Sequence, residues 1–365
     1  MPRSDWYNSE LPSITPSKAD GLPKFLLERV KKHAISLLEK ENKLYAEIQQ
    51  KSSSSSHKFY STIMNSGTLS DKISALTLAV QESPIHSIKS LENLVVLSKK
   101  RSRAQAVDVL RSLKDLFAQG TLLPSNRKLK GFANHGSLVN AFQQDEYKWT
   151  ESDPLPGGLH PSHLIVWAFE DYLKEQFFEV LKVLETWCND EIEFSRTRAI
   201  SYVYELLKEK PEQEANLLRL LVNKLGDPGK KIASRASFLL LQLGQAHPLM
   251  KSTLITAVEE FLFRPGQGQQ AKYYAIITLN QTILSAKEEQ IALQLLDIYF
   301  SLFVTLLKPN EKAKQKRGKA TKEEQSEHDD QFKEKLVSAV LAGVNRAYPF
   351  TTSDNDRYVY NSLDK

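Results

Sequence analysis

A single cysteine, Cys188, stands in the 365-residue chain, so no internal disulfide can form and a reducing compartment fits. Glycine is scarce at 14 residues, and alternating apolar–polar runs are few; both favour an all-helical protein. No uninterrupted apolar run reaches the ~20 residues that span a bilayer. The most apolar stretch, residues 291–307, is short and broken by Asp297, and reads as a core helix rather than a membrane segment. The first residues include Asp5 and Glu10 and have no apolar core, which argues against a signal peptide. Charge of one sign is not in large excess: 49 Lys and Arg face 44 Asp and Glu, a net +5. That balance alone says little about nucleic acid.

Catalytic patterns are missing too. His160 and His163 are spaced as two metal ligands, but no further Cys or His lies nearby in sequence, and Pro161 puts His160 outside the helix. Arg264-Pro265-Gly266-Gln267-Gly268 lacks the strand and the Lys directly after the last glycine that a phosphate loop needs, and reads as an inter-helix loop. Glu170-Asp171, and Glu191 with Glu193, read as solvated helix faces. No enzyme, metal or cofactor is expected.

What is present is helical punctuation. Residues 62–84 open with the turn Asn65-Ser66-Gly67, where glycine accommodates a positive φ. Ser70 fits a helix N-cap, and Ile73, Leu76 and Val80 share one face. Ser83-Pro84 ends that helix, and Pro84 starts a second one carrying Ile88, Leu91 and Val95. Neither helix can bury its stripe alone. Pro23 opens an earlier helix to about Gln50, and Ala106, Leu110, Leu113 and Phe117 mark another from Arg103 to about Gln119. Downstream, Leu225-Gly226-Asp227-Pro228 with Ile232 and Ala236 reads as a HEAT-type turn: Asp caps, Pro starts the helix, and the small Ala admits a neighbour. Pro211, Pro248 and Pro265 punctuate the region at a spacing that suits helix pairs of ~40 residues. An α-solenoid of HEAT or armadillo-like pairs is therefore expected, and 365 residues suit a repeat array better than one ordinary domain.

The expected organisation has seven parts. Residues 1–23 form an extended segment that lays Trp6, Tyr7, Leu11 and Pro12 on the first helices. Residues 24–130 form N-terminal helical repeats, with Ser52–Ser56 as a flexible linker. An irregular connection covers 131–161, and HEAT-like repeats cover 162–307. A charged insertion, 308–331, has too few apolar groups to offset the entropy of ordering and is expected to be disordered. Its basic part fits a nuclear import signal, a nucleic-acid tether or a solvated loop. A terminal helix covers 332–350, and 351–365 form a tail.

Charge is concentrated. Between residues 97 and 130 nine basic residues face Asp108 and Asp115, a local +7. Lys99, Lys100, Arg101 and Arg103 fall at one turn, and Arg127, Lys128 and Lys130 follow the next helix. Successive turns of a helix stack lie on one rim, so these groups, with Lys230, Lys231 and Arg235, are the candidate RNA contacts. No recognition motif or aromatic stacking pair is evident, so specificity would come from RNA shape or from partner proteins.

Three passages closely resemble one family: NSGTLSDKISALTLAVQESP (65–84), SLENLVVLSKKRSRAQA (90–106) and LLPSNRKLK (122–130). Trp167 with Phe169-Glu170-Asp171, Lys210-Pro211-Glu212-Gln213-Glu214, Lys231-Ile232-Ala233-Ser234, Phe261-Leu262-Phe263-Arg264-Pro265 and residues 343–350 continue the likeness in order. The chain resembles the nucleolar complex (CCAAT-binding factor, zeta-type) family over most of its length. The resemblance implies a nucleolar and nuclear, non-enzymatic assembly factor for the large (60S) ribosomal subunit. It further implies contact with pre-ribosomal RNA, a second nucleolar complex protein as heterodimer partner, and other pre-60S factors. It also implies that full-length members continue past residues 343–350 into their namesake domain. The alternatives are a CCAAT-promoter transcription cofactor, as the family's other name records, and a karyopherin-like transport adaptor, since those proteins are also HEAT stacks.

Overall fold

In the computed structural model the described residues are 3–8, 21–51, 55–100, 102–120, 122–144, 148–307 and 323–351. Among them the chain is all-helical, with fourteen α-helices and no strand. Arg101, the basic part of the charged insertion (308–322) and the tail after Thr351 lie outside the described residues. The chain divides into two compact units, Met1–Trp187 with Glu205–Glu214, and Cys188–Tyr204 with Ala215–Lys365.

The first unit holds α1 (Lys24–Lys51), α2 (Ser55–Ser66), α3 (Leu69–Glu82), α4 (Ile88–Ser98), α5 (Arg103–Ala118), α6 (Gly136–Gln144) and nearly all of α7 (Pro161–Cys188). Helices α3, α4 and α5 pack on one another. The expected stripes are buried: Ile73, Leu76 and Val80 on α3, Leu91 and Val95 on α4, and Ala106, Leu110, Leu113 and Phe117 on α5.

Local details depart from the sequence reading in ways the geometry explains. Thr68, not Ser70, caps α3. Its Oγ1 accepts the Asp71 N–H at 3.3 Å while the Asp71 carboxylate accepts the Thr68 N–H at 3.0 Å, a reciprocal capping box. The Thr68 hydroxyl, which donates to the same carboxylate at 2.7 Å, and the Thr68 N–H hold the Asp71 carboxyl below its usual range. Gly67 has no positive φ. A Cβ there would lie 2.6 Å from the Ile63 carbonyl oxygen, so close approach at the end of α2 requires glycine. Pro84 opens a 3-10 turn (Pro84–His86), and α4 begins only at Ile88. Ser55 and Ser56, expected in a linker, begin α2. The expected irregular connection contains α6 and a buried Trp149. That indole sits between Phe142 and His33, and the Trp149 backbone carbonyl accepts from Arg29 Nη1 at 2.9 Å.

The second unit holds the first turns of α8 (Glu193–Glu209), then α9 (Glu214–Asn223), α10 (Lys230–Ala246), α11 (Lys251–Leu262), α12 (Gln269–Asn280), α13 (Glu289–Leu307) and α14 (Glu323–Ala347). Helix α13 is the apolar stretch of the sequence. It has the length and hydropathy of a membrane span, yet it buries Leu295, Leu296, Ile298, Tyr299 and Leu302 against this unit, packing on α11 and α14. Helix α14 begins at Glu323, nine residues before its expected start, so the acidic half of the insertion is helical. It packs closely on α12 and α13 through Gly343, where a Cβ would stand 2.6 Å from the Tyr299 ring and 2.5 Å from Asn280 Oδ1.

Asp227 does not cap α10; Gly229 occupies that position. The Asp227 carboxylate is buried, forming ion pairs with Arg196 Nε at 3.1 Å and Lys224 Nζ at 3.4 Å and accepting the Gly229 N–H at 2.9 Å. Lys224, itself buried, also donates to the Cys188 carbonyl and to Asn189 Oδ1. A turn aspartate flanked by a buried and a largely buried cation is worth more as their counter-charge than as a cap, because an unpaired buried charge is the costlier fault.

Candidate nucleic-acid interface

Helix α7 organises the basic residues of the first unit. Following α5, residues 122–131 run without regular structure into a 3-10 turn (Phe132–Asn134), and the stretch buries Leu122, Leu123, Leu129 and Phe132. A buried segment of this kind leaves its backbone groups without water, so side chains must bond them. Two carboxylates of α7 do this: Glu170 accepts the Lys130 N–H at 2.7 Å and Asp171 accepts the Phe132 N–H at 3.0 Å. Glu212 accepts the Leu129 N–H at 2.7 Å, and Lys174 Nζ donates to the Leu129 carbonyl at 2.8 Å. The Trp6 indole N–H donates to the Leu122 carbonyl at 2.9 Å, with its ring edge-on to Phe169. Trp6 thus lies on this segment and on α7. Leu11 and Pro12 lie outside the described residues.

This geometry overturns the reading of Glu170-Asp171 as a solvated face. Glu170 is 2% exposed and receives the Arg127 guanidinium on both its oxygens, the second contact at 3.2 Å. Asp171 takes Lys31 Nζ at 2.5 Å, a hydrogen bond that raises the lysine pKa. His135 stacks on Trp167 at 4.8 Å beside this cluster, and burial pushes its pKa down to about 4.

The candidate RNA contacts of the first unit therefore divide. Arg127 is committed to Glu170. Lys99 Nζ lies 2.8 Å from Glu179, which Lys182 and Lys99 together hold down to about 2. Lys128 Nζ lies 2.6 Å from Glu214, and that hydrogen bond raises its pKa. Lys100, Arg103 and Lys130 are exposed. Glu170 and Glu179 are nine residues apart on α7, about 13 Å along its axis, so α7 carboxylates meet both basic groups.

In the second unit Lys230, Lys231 and Arg235 are all exposed on the first turns of α10. The Arg235 guanidinium lies over the Phe238 ring, 5.6 Å from its centroid, and Phe238 is 46% exposed. On α8, Arg198 covers Phe194 in the same way at 5.2 Å, with Phe194 54% exposed. Sequence reasoning found no aromatic stacking pair. The signal was present as an Arg and a Phe three or four residues apart on one helix, a spacing that makes neighbours of them. Asp227 links the ends of three helices here: its carboxylate meets Arg196 of α8, and its carbonyl accepts from Gln270 of α12 at 3.2 Å.

Among the described residues no group of three His, Cys, Asp or Glu is placed to hold a metal. The His160 ring accepts the Ser162 N–H at 3.2 Å, and the His163 ring accepts the His160 N–H at 3.0 Å, so both are engaged at the start of α7. A cavity of about 270 Å³ between α10, α11 and α12 is lined mainly by leucine, isoleucine and valine.

No family model matches the chain. It is 48% identical over 97% of its length to the ribosome biogenesis protein NOC1 of Chaetomium thermophilum, covering 36% of that protein. It is 34% identical over 98% of its length to human CCAAT/enhancer-binding protein zeta, covering 31% of that protein. Drosophila melanogaster nucleolar complex protein 1 is 32% identical over 67% of the chain, which covers 20% of it. The chain thus spans roughly a third of the length of the first two and a fifth of the last.

Proposed function

The chain belongs to the nucleolar complex and CCAAT-binding factor zeta family, and on that premise we propose that it acts, without catalysis, as a binding scaffold in the biogenesis of the large ribosomal subunit. The observation that carries this reading is the 48% identity, over 97% of the chain, to a protein named for ribosome biogenesis. The name of the Drosophila relative supports a nucleolar site of action.

The mechanism is simultaneous docking. Helix pairs stacked in the HEAT manner form the scaffold. Exposed cations contact phosphates of precursor RNA, and other faces take a second nucleolar complex protein and further pre-60S factors. Phosphate contacts of this kind position the RNA without reading its sequence and weaken steeply with salt. Lys100, Arg103, Lys130, Lys230, Lys231 and Arg235 are exposed and are the proposed contacts; Arg127 is partly buried against Glu170.

In-cell UV crosslinking of the tagged protein, with sequencing of attached RNA, tests this. Reads concentrated on discrete large-subunit precursor segments, with sedimentation alongside pre-ribosomes, are expected. Reads equal to an untagged control, with enrichment at CCAAT promoters, would replace it by the transcription reading that the mammalian relatives' names suggest.

A further inference from the structure

We infer that the second unit carries a binding surface for unpaired RNA, centred on Lys231, Arg235 and Phe238 of α10 and extended by Phe194 and Arg198 of α8 and Lys272 of α12. The inference rests on the RNA-binding reading above and gives it a site and a preferred form of RNA. In the richest basic run of the sequence, residues 97–130, four of the cations are already paired with carboxylates.

The first argument is which cations are unspent. In the first unit Lys99, Lys114, Arg127 and Lys128 each sit on carboxylates. A phosphate would have to displace those partners. Among the described residues no carboxylate lies within ion-pair distance of Lys231, Arg235 or Lys272. The surrounding sequence explains this. Residues 228–287 contain seven basic side chains and only Glu259 and Glu260 as acids, a net +5 that equals the net charge of the whole chain. Neither α10 nor α12 contains an acidic residue.

The second argument is the aromatics. A phenylalanine half-exposed on a helix loses the stabilisation that burial would bring, about 25 cal/mol per Å² of apolar surface. Phe194 and Phe238 are both in that state. Each has a guanidinium over its ring. A flat ring beside a flat cation offers a base a surface to stack on and offers the adjoining phosphate a charge, the combination used by sequence-tolerant single-strand binders. A duplex hides its base faces and cannot use it.

The third argument is placement. Lys231, Arg235 and Phe238 recur at intervals of four and three, so they form one stripe along α10. Helix α10 packs directly on α12. The Asp227 carboxylate and carbonyl hold the first turns of α8 and α12 beside the start of α10. Glu191 and Glu193 flank Phe194, so α8 contributes stacking more than charge, and α10 is the centre of the surface.

Binding of a labelled 20-nucleotide unpaired RNA, and of the same sequence as a duplex, to the whole chain tests this by fluorescence anisotropy across a salt series. The unpaired form should bind more tightly. Replacing both rings, Phe194→Leu with Phe238→Leu, should weaken it about ten- to a hundredfold with little change in salt slope. Phe238→Trp should hold or tighten binding, which separates loss of the ring from loss of fold. Lys231→Gln with Arg235→Gln should lower the slope by about 1.4, two single-strand phosphate contacts. Lys99→Gln with Lys128→Gln should stay within about twofold of the parent. Wild-type RNA binding that is insensitive to the ring and α10 changes, or duplex bound as tightly as single strand, would overturn this inference alone. Absence of RNA binding by the parent chain would overturn the RNA-binding reading with it.

Discussion

Replacing Glu170 by glutamine should unfold the first unit at markedly lower denaturant. The carboxylate is 2% exposed and accepts from both Arg127 nitrogens and from the Lys130 N–H. Glutamine keeps the shape and one acceptor oxygen. It presents an NH₂ where an acceptor is required and leaves the Arg127 cation without a counter-charge. Removing one partner of a buried pair costs about 3–5 kcal/mol. The Arg127 side chain is 35% exposed, so water recovers part of that, and about 2–3 kcal/mol is expected. The assay is urea unfolding followed by tryptophan fluorescence. All four tryptophans, Trp6, Trp149, Trp167 and Trp187, lie in the first unit, so the signal reports that unit alone. With m of about 2 kcal/mol/M, the midpoint should fall by about 1–1.5 M. The apolar pair Glu170→Leu with Arg127→Met should cost less than Glu170→Gln alone, because no charge is stranded. A Glu170→Gln shift below about 0.5 kcal/mol, or a double variant no better than the single one, would refute the view that this pair pins residues 127–132.

Three further outcomes follow from the packing. His135 is buried and its folded pKa lies near 4 against about 6.5 unfolded, so the unfolded state binds more protons in between. Stability of the first unit should be full above pH 6.5 and fall by up to about 3 kcal/mol as pH drops to 4. His135→Phe should flatten that part of the denaturation midpoint–pH curve, and an unchanged slope would refute the assignment. In an exposed helix Gly→Ala stabilises by about 1 kcal/mol, but Gly343→Ala should destabilise the second unit by about 1–3 kcal/mol, because its Cβ meets the Tyr299 ring. Hydrogen exchange of α12 and α14 should rise, and protection equal to the parent would count against this close approach. Asp227→Asn strands Arg196 and Lys224, and should raise exchange at the start of α10, at a cost of about 3 kcal/mol. Protection there equal to the parent would count against Asp227 as the counter-charge.

Much of this protein was legible from pattern alone. Helix class, the buried stripes of α3 and α5, and the apolar α13 follow from spacing at 3.6 residues, which local geometry imposes before any tertiary contact forms. Family likeness was legible too, because it is a property of residue order. Caps moved by two residues from Ser70 to Thr68, since several hydroxyls in one turn compete and only the reciprocal bond to Asp71 selects one.

Tertiary structure decided where charge is spent. Nothing in Arg127-Lys128-Leu129-Lys130 reveals that a glutamate 43 residues later takes the arginine, nor that Glu205 and Glu179 take Lys114 and Lys99. Asp227 likewise reads as a cap and becomes the counter-charge of Arg196 and the buried Lys224. The reason is range. Helical periodicity is set by neighbours within four residues, whereas an ion pair depends on which distant group arrives within about 4 Å and on how much water is left around it. Sequence pattern therefore placed candidate contacts in residues 97–130 and at Lys230, Lys231 and Arg235, while folding pairs Lys99, Lys114, Arg127 and Lys128 with carboxylates and, among the described residues, sets none within ion-pair distance of Lys231, Arg235 or Lys272.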